Sequence, residues 1–166
     1  AGAAPAASQS RMMVQVSHDP ATVYAEHAAE LVRYATLLAG PSGADDLVAD
    51  ACVKAFASPG WTAVENPRAY LYRAVLNEAR QAARRDGRRA DRERRVAARD
   101  RIEPAEPRPD VLAPLQSLTD RQRAIVFFTY WQDRSTAEIA DDLGIDQRTV
   151  QRELLAARTH LAEVLR

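Results

Sequence analysis

The sequence predicts an all-α fold, with two small helical domains joined by a flexible linker, and three observations predict it. Apolar residues recur every three or four positions through several stretches; no stretch alternates apolar and polar residues as a half-buried strand would; and a segment rich in arginine and then proline, 87 to 110, separates helices on either side. The first domain is predicted over 20–86. The second, 111–166, is a four-helix-type unit that contains a helix-turn-helix.

Taken in order, residues 1–19 open with AGAAPAASQSR, too small and polar to bury much surface, and are predicted to be a disordered N-terminus or a remnant of cloning. From Pro20, Val23, Tyr24, His27, Leu31, Tyr34 and Leu38 mark a first helix, which Gly40 and Pro41 end. A second runs from Ala44 to Phe56, with Leu47, Val48, Ala51, Cys52 and Ala55 on one side and Asp45, Asp46, Asp50 and Lys54 on the other. Its acids cluster in the first turns, where the helix dipole favours them. The stretch ASPGWTAVENP, with two prolines and a glycine, is a loop that carries Trp61 and Asn66. A third helix follows, with Tyr70, Leu71, Ala74, Val75 and Ala79 on its apolar side and Arg68, Arg73, Asn77, Arg80, Arg84 and Arg85 on its polar one.

Beyond the linker, Val111 to Leu118 forms a short apolar turn. Thr119 caps DRQRAIVFFTYWQ, the most apolar helix of the chain and the expected core of the second domain. Ser135 with Glu138 forms a capping box ahead of Ile139, Ala140 and Leu143, and Gly144 stops that helix. Asp146 caps a last helix carrying Val150, Leu154, Ala157 and Leu161 inward. Its opposite face offers Gln147, Arg148, Gln151 and Arg152, with Thr149 at the edge, side chains that suit base edges and phosphates in a major groove.

The 166 residues are 46% hydrophobic, enough for globular cores, and no apolar run approaches the roughly 18 residues of a membrane span. No basic segment followed by an apolar one marks export, so a cytoplasmic location without membrane insertion is expected. The lone Cys52 excludes an internal disulfide and reads as a small core residue. His18, His27 and His160 show no metal spacing, and there is no phosphate loop or nucleophile elbow. No enzyme activity, cofactor or metal is expected. Formal net charge is zero, but residues 79–101 hold ten basic and four acidic side chains between acidic flanks. That pattern suits DNA on one surface and a protein on another. Lys54 is the single lysine among 23 basic residues, which reflects coding bias more than function.

Two stretches together resemble the extracytoplasmic-function sigma factors, the small alternative sigma factors of bacteria. ADDLVADACVKAF is similar to the family's acidic helix, and PRAYLYRAVLNEARQAARR to its W-L-Y-R-I-A-x-N helix, with Tyr70, Leu71, Tyr72, Arg73 and Asn77 in place. LQSLTDRQRAIVFFTYWQDRSTAEIADDLGIDQRTVQRELLAARTHL resembles the second DNA-binding domain, with its L-x-x-R-Q-R start and G-x-x-x-x-T-V core.

The resemblance implies a protein that binds core RNA polymerase through the β′ and β subunits, directs it to promoter DNA and aids melting. It implies polymerase contacts at Asp45, Asp46, Leu47, Val48, Asp50 and Phe56. For the −10 element it implies Trp61, Asn66, Tyr70, Arg73, Asn77, Arg80, Arg84 and Arg85, because an unstacked base needs aromatic or amide partners and its backbone needs cations. For the −35 element it implies Ser135, Gln147, Arg148, Thr149, Gln151, Arg152 and Arg158. It also implies an anti-sigma factor, around which the linker would let the domains close. The chain departs from the family's basic run T-V-K-S-R-L-x-R-A-R, having Gln151, Glu153 and Ala156 where cations are usual. Fewer cations mean weaker nonspecific affinity and a different upstream element or help from other contacts. Glu153 could accept from a cytosine amino group. The competing reading is a helix-turn-helix regulator that never binds polymerase; a second nucleic-acid surface on the third helix argues against it.

Overall fold

The computed structural model describes residues 18–96 and 113–165. Residues 1–17 of the expected N-terminal segment 1–19 and 97–110 of the expected linker 87–110 lie outside them, as do residues 111, 112 and 166. Seven helices and no strand occur among the described residues: α1 (Pro20–Ala39), α2 (Ala44–Phe56), α3 (Pro67–Val96), α4 (Ala113–Gln116), α5 (Asp120–Tyr130), α6 (Thr136–Leu143) and α7 (Gln147–Val164).

Local chemistry sets the ends. Asp19 accepts from the Thr22 backbone N–H at 2.9 Å and Pro20 takes the first turn of α1, where a missing N–H costs nothing. Gly40, at φ 86°, ends α1 and donates its N–H to the Thr36 carbonyl. Helix α3 continues past residue 86 to Val96, into the basic part of the expected linker. Arginine, glutamate and alanine are good helix formers, Gly87 is tolerated, and the first proline after Pro67 is Pro104.

In the first half, α1, α2 and α3 pack on one another through Leu31, Leu38, Val48, Cys52, Leu71 and Val75, all buried. In the second, α7 packs on α5 and α6. The two halves do not keep separate cores. One continuous cluster joins Tyr34 of α1 and Tyr72 of α3 to Phe127 and Phe128 of α5, and extends to Ile139, Val150 and Leu154. The rings meet edge-on or tilted: Tyr34–Tyr72 at 5.1 Å, Tyr34–Phe127 at 5.0 Å and Tyr72–Phe128 at 5.0 Å. Helical geometry turns consecutive side chains by about 100°, so a helix with Ile125, Val126, Phe127 and Phe128 buried has apolar surface on several sides. Val126 joins Leu118 and Ala157 in a smaller cluster, while the two phenylalanines face the first half.

Replacing Phe128 by Ala should cost about 3–5 kcal/mol, the usual effect of emptying a buried phenyl site. Since its ring touches both halves, both should be destabilised together. Urea unfolding followed at Trp61 in the first half and Trp131 in the second checks this; a shift confined to Trp131 would mean the halves are energetically independent.

Candidate nucleic-acid interface

The helix-turn-helix is built by its caps. Ser135 Oγ accepts from the Glu138 backbone N–H, and Glu138 Oε2 accepts from Ser135 N at 2.9 Å, closing the capping box. The Ser135 backbone N–H and hydroxyl, both donating to the Glu138 carboxylate, together with Arg134, hold that carboxyl below the ordinary glutamate range. Gly144 takes φ 66°, ψ 40°, the left-handed turn that reverses the chain between α6 and α7. Asp146 caps α7 through the Arg148 N–H at 2.8 Å. Ile139, Ala140, Leu143, Val150, Leu154 and Ala157 are buried at the crossing.

On the outer face of α7, Gln147, Arg148, Gln151 and Arg152 are exposed and Thr149 is half-buried. Gln147 Nε2 donates to Thr136 Oγ1 at 3.0 Å, tying the recognition helix to the start of α6. Three residues are differently employed. The Ser135 hydroxyl is engaged in the capping box. Glu153 is turned toward α5, accepting from Gln122 Nε2 at 3.2 Å, with Arg152 at 3.6 Å, and so is not presented to a base. Arg158 lies three turns along α7, where Nε donates to Tyr130 Oη at 2.8 Å and the guanidinium sits 5.7 Å from that ring.

Helix α3 carries the cationic face. Arg84 and Arg85 are exposed, Arg73 and Arg80 half-buried, and Asn77 exposed. Glu78, nearly inaccessible, is clamped by Lys54 Nζ at 2.6 Å and Arg85 Nη2 at 3.0 Å. The Lys54 bond foremost holds its carboxyl below the ordinary range, ionised and compensated. Asn66 Oδ1 accepts from Ala69 N at 3.0 Å, capping α3. Trp61 corrects the expectation of a base-capturing ring. It is only 4% exposed, held between Phe56 at 4.7 Å and Tyr70 at 5.9 Å, with Nε1 donating to the His18 carbonyl at 3.0 Å. A ring packed on both sides has no free face for a base.

On α2, Asp45, Asp46 and Asp50 are exposed and Phe56 is half-buried. Leu47 and Val48 are core residues, 7% and 1% exposed, because they follow the apolar stripe that packs on α1 and α3; they offer no surface to a partner.

The two halves meet at a seam that sequence reasoning missed. Arg68 Nη1 donates to Asp142 Oδ2 at 3.1 Å, Nη2 donates to Gln132 Oε1 at 3.1 Å, and the guanidinium lies 4.8 Å from the Tyr72 ring centroid. The side chains are 17% and 7% exposed, so this ion pair between α3 and α6 is largely shielded from water. A signal for Asp142 existed: it stands three residues after Ile139 and beside Leu143, on the apolar stripe of α6, where an acid needs a partner. Further along α3, Arg73, Leu76, Asn77 and Arg80 line a small cavity closed by Arg121, Leu143 and Ile145. A Cβ at Gly144 would stand 3.2 Å from Arg73 Nη1, so the turn of the helix-turn-helix sits directly on the arginine face of α3.

Burial pushes the Cys52 thiol up to about 11, which keeps it unreactive. Among the described residues no three His, Cys, Asp or Glu side chains converge as metal ligands, and no helix is long and apolar enough to cross a membrane.

Family models match both halves in order: sigma-70 region 2 over residues 23–89 and sigma-70 region 4 over 110–161. The ECF RNA polymerase sigma factor SigL of Mycobacterium tuberculosis is 33% identical over 148 residues, 80% of this chain and 80% of that protein. Two solved structures share the fold. The sigma factor RpoE from Bartonella quintana, crystallised with the anti-sigma factor NepR, matches with a TM-score of 0.66 and 24% identity over 87% of this chain and 95% of that one. CnrH, in complex with the cytosolic domain of CnrY, matches with a TM-score of 0.55 and 23% identity over 88% and 86%.

Asp142→Asn removes the charge opposite Arg68 and should weaken the seam by about 1–3 kcal/mol. Dyes at the exposed positions 53 and 155 should then report a longer mean separation than in the parent chain, with Cys52 replaced by Ala in both. An unchanged separation would show that the ion pair does not hold the halves together.

Proposed function

The chain belongs to the extracytoplasmic-function sigma factors of the sigma-70 family, and on that premise we propose that it binds core RNA polymerase and directs it to promoters through two DNA-reading surfaces. The observation that carries this reading is the pairing of an exposed polar recognition face on α7 with an arginine-bearing α3 in the same chain. A regulator that only bound an operator would have no use for the second surface.

The roles follow from chemistry. Asp45, Asp46 and Asp50 form an acidic rim with Phe56 at the end of the same helix, suited to a basic helix of the polymerase. Gln147, Arg148, Gln151 and Arg152 read the upstream element in the major groove, with Thr149 at the edge. Arg73, Arg80, Arg84 and Arg85 hold phosphates of the downstream element, and Tyr70 and Asn77 contact its separated strand. Neither task is a covalent reaction, so the role is one of binding and positioning rather than enzymatic turnover. Arg73 and Arg80 look into the seam, so promoter engagement requires the halves to part.

Regulation by an anti-sigma factor fits the same geometry. An apolar groove runs from Leu37 of α1 past Leu115 to Phe127 of α5 and Trp131 just beyond its end, with Arg33 and Arg158 also lining it. Trp131 is 66% exposed. A protein helix laid there touches both halves at once and holds them closed.

Purified core polymerase with promoter fragments should give discrete new start sites in run-off transcription; DNA binding without polymerase binding would support a regulator of another kind. Replacing Asp45, Asp46 and Asp50 together by Ala should weaken polymerase affinity roughly tenfold or more at low salt with helicity intact. Equal affinity would move the docking surface off α2. Arg148→Ala or Gln151→Ala should cost about 1–3 kcal/mol of upstream discrimination while polymerase binding is preserved, read as the spread of selected promoter sequences.

A further inference from the structure

The cavity at the seam is unusual in its charge. Arg73, Asn77 and Arg80 enter it from α3 and Arg121 from α5, over an apolar floor of Leu143 and Ile145. Its volume is about 90 Å³, room for one small polyatomic group. No carboxylate lines it. Among the described residues, none of the three guanidiniums is within salt-bridge distance of an acid. Closure therefore gathers three like charges in a half-buried space, which opposes the closed state unless an anion enters.

The space continues outward. Arg80 and Arg121 also line a wider cleft of about 580 Å³, with Arg84 and Thr119. The two acids of that cleft are engaged elsewhere: Asp120 pairs with Arg123, and Glu153 accepts from Gln122 and lies near Arg152. We propose that the closed chain binds a small phosphorylated metabolite here. One phosphate group sits among Arg73, Asn77, Arg80 and Arg121, and the remainder of the ligand lies in the wider cleft. Guanidiniums bind phosphate oxygens in fixed, paired geometry, which suits a phosphate better than a carboxylate on a flexible chain. The ligand would stabilise closure, because its cage includes side chains from both halves and exists only when they meet. Since Arg73 and Arg80 serve a DNA strand in the open chain, the metabolite and promoter DNA would compete. That last consequence rests on the promoter reading; the site itself does not.

Pyrophosphate is a suitable probe, titrated into the full chain at constant ionic strength with chloride as the control. It should raise the melting temperature saturably, shorten the separation between dyes at 53 and 155, and release a bound single-stranded oligonucleotide. Arg121→Gln, at a half-buried position outside the proposed DNA-reading set, should weaken pyrophosphate binding about tenfold or more. Arg121→Lys should retain part of it. No saturable effect, or an equal effect in Arg121→Gln, overturns the site. Arg121-dependent binding in a chain that fails to program polymerase supports the site and overturns the promoter reading instead.

Discussion

The contact on which the rest of this structure depends is the four-ring cluster of Tyr34, Tyr72, Phe127 and Phe128. Small units of about 50–60 residues bury a modest fraction of their surface and are marginal alone. The second half is of that size, and its most apolar helix sets two phenylalanines against Tyr34 and Tyr72 of the first half. Those rings find their burial against α1 and α3. The seam is thereby both a source of stability for each half and the reason that the exposed faces of α3 and α7 are not independent of each other.

Charges at the seam are arranged around that apolar contact. Tyr72 Oη donates to Glu30 at 3.0 Å, whereas the Tyr34 hydroxyl is fully buried and has no partner among the described residues. An unmet hydroxyl is a cost the aromatic packing must offset. Arg68 does more: it covers the Tyr72 face, satisfies buried Asp142 and reaches Gln132 at the end of α5. Buried ion pairs gain little net stability against apolar packing but penalise misregistration heavily, since either partner alone is stranded. The aromatic cluster therefore supplies the attraction between the halves, and Arg68 with Asp142 sets their register.

Most helices were legible because their causes are local. Capping boxes at Thr119 and Ser135, the left-handed Gly144 and the apolar stripes of α1, α2 and α7 are all spelled out within a few residues. The exposure of Gln147, Arg148, Gln151 and Arg152 was legible too, because it follows from their place opposite the apolar stripe of α7. Exposure was not legible where a residue's fate depends on distant sequence. Trp61 has the chemistry for stacking a base, yet its rings are taken by Phe56 and Tyr70 and its N–H by the carbonyl of His18. Leu47 and Val48 read equally well as core or as docking patch until α1 and α3 cover them. The Arg68 bonds of the seam, to partners 64 and 74 positions away, left only the trace of an acid on an apolar stripe.

The distribution of charge between α3 and α7 explains how a recognition helix poor in cations can still serve. In the stretch where its relatives are basic, α7 carries Gln151, Glu153 and Ala156, and Glu153 is committed to Gln122. In the proposed role Arg148 and Arg152 alone would release few counterions, so this helix would contribute discrimination more than affinity. The surplus of positive charge lies instead from residue 79 to 101, on and after α3. On that reading, affinity drawn from α3 and selectivity drawn from α7 would act together only when both surfaces are open to DNA. On the proposed reading, the turn of the helix-turn-helix, seated against Arg73, would withhold the arginine face of α3 from DNA, so a modest change at the seam would have a large effect on promoter binding.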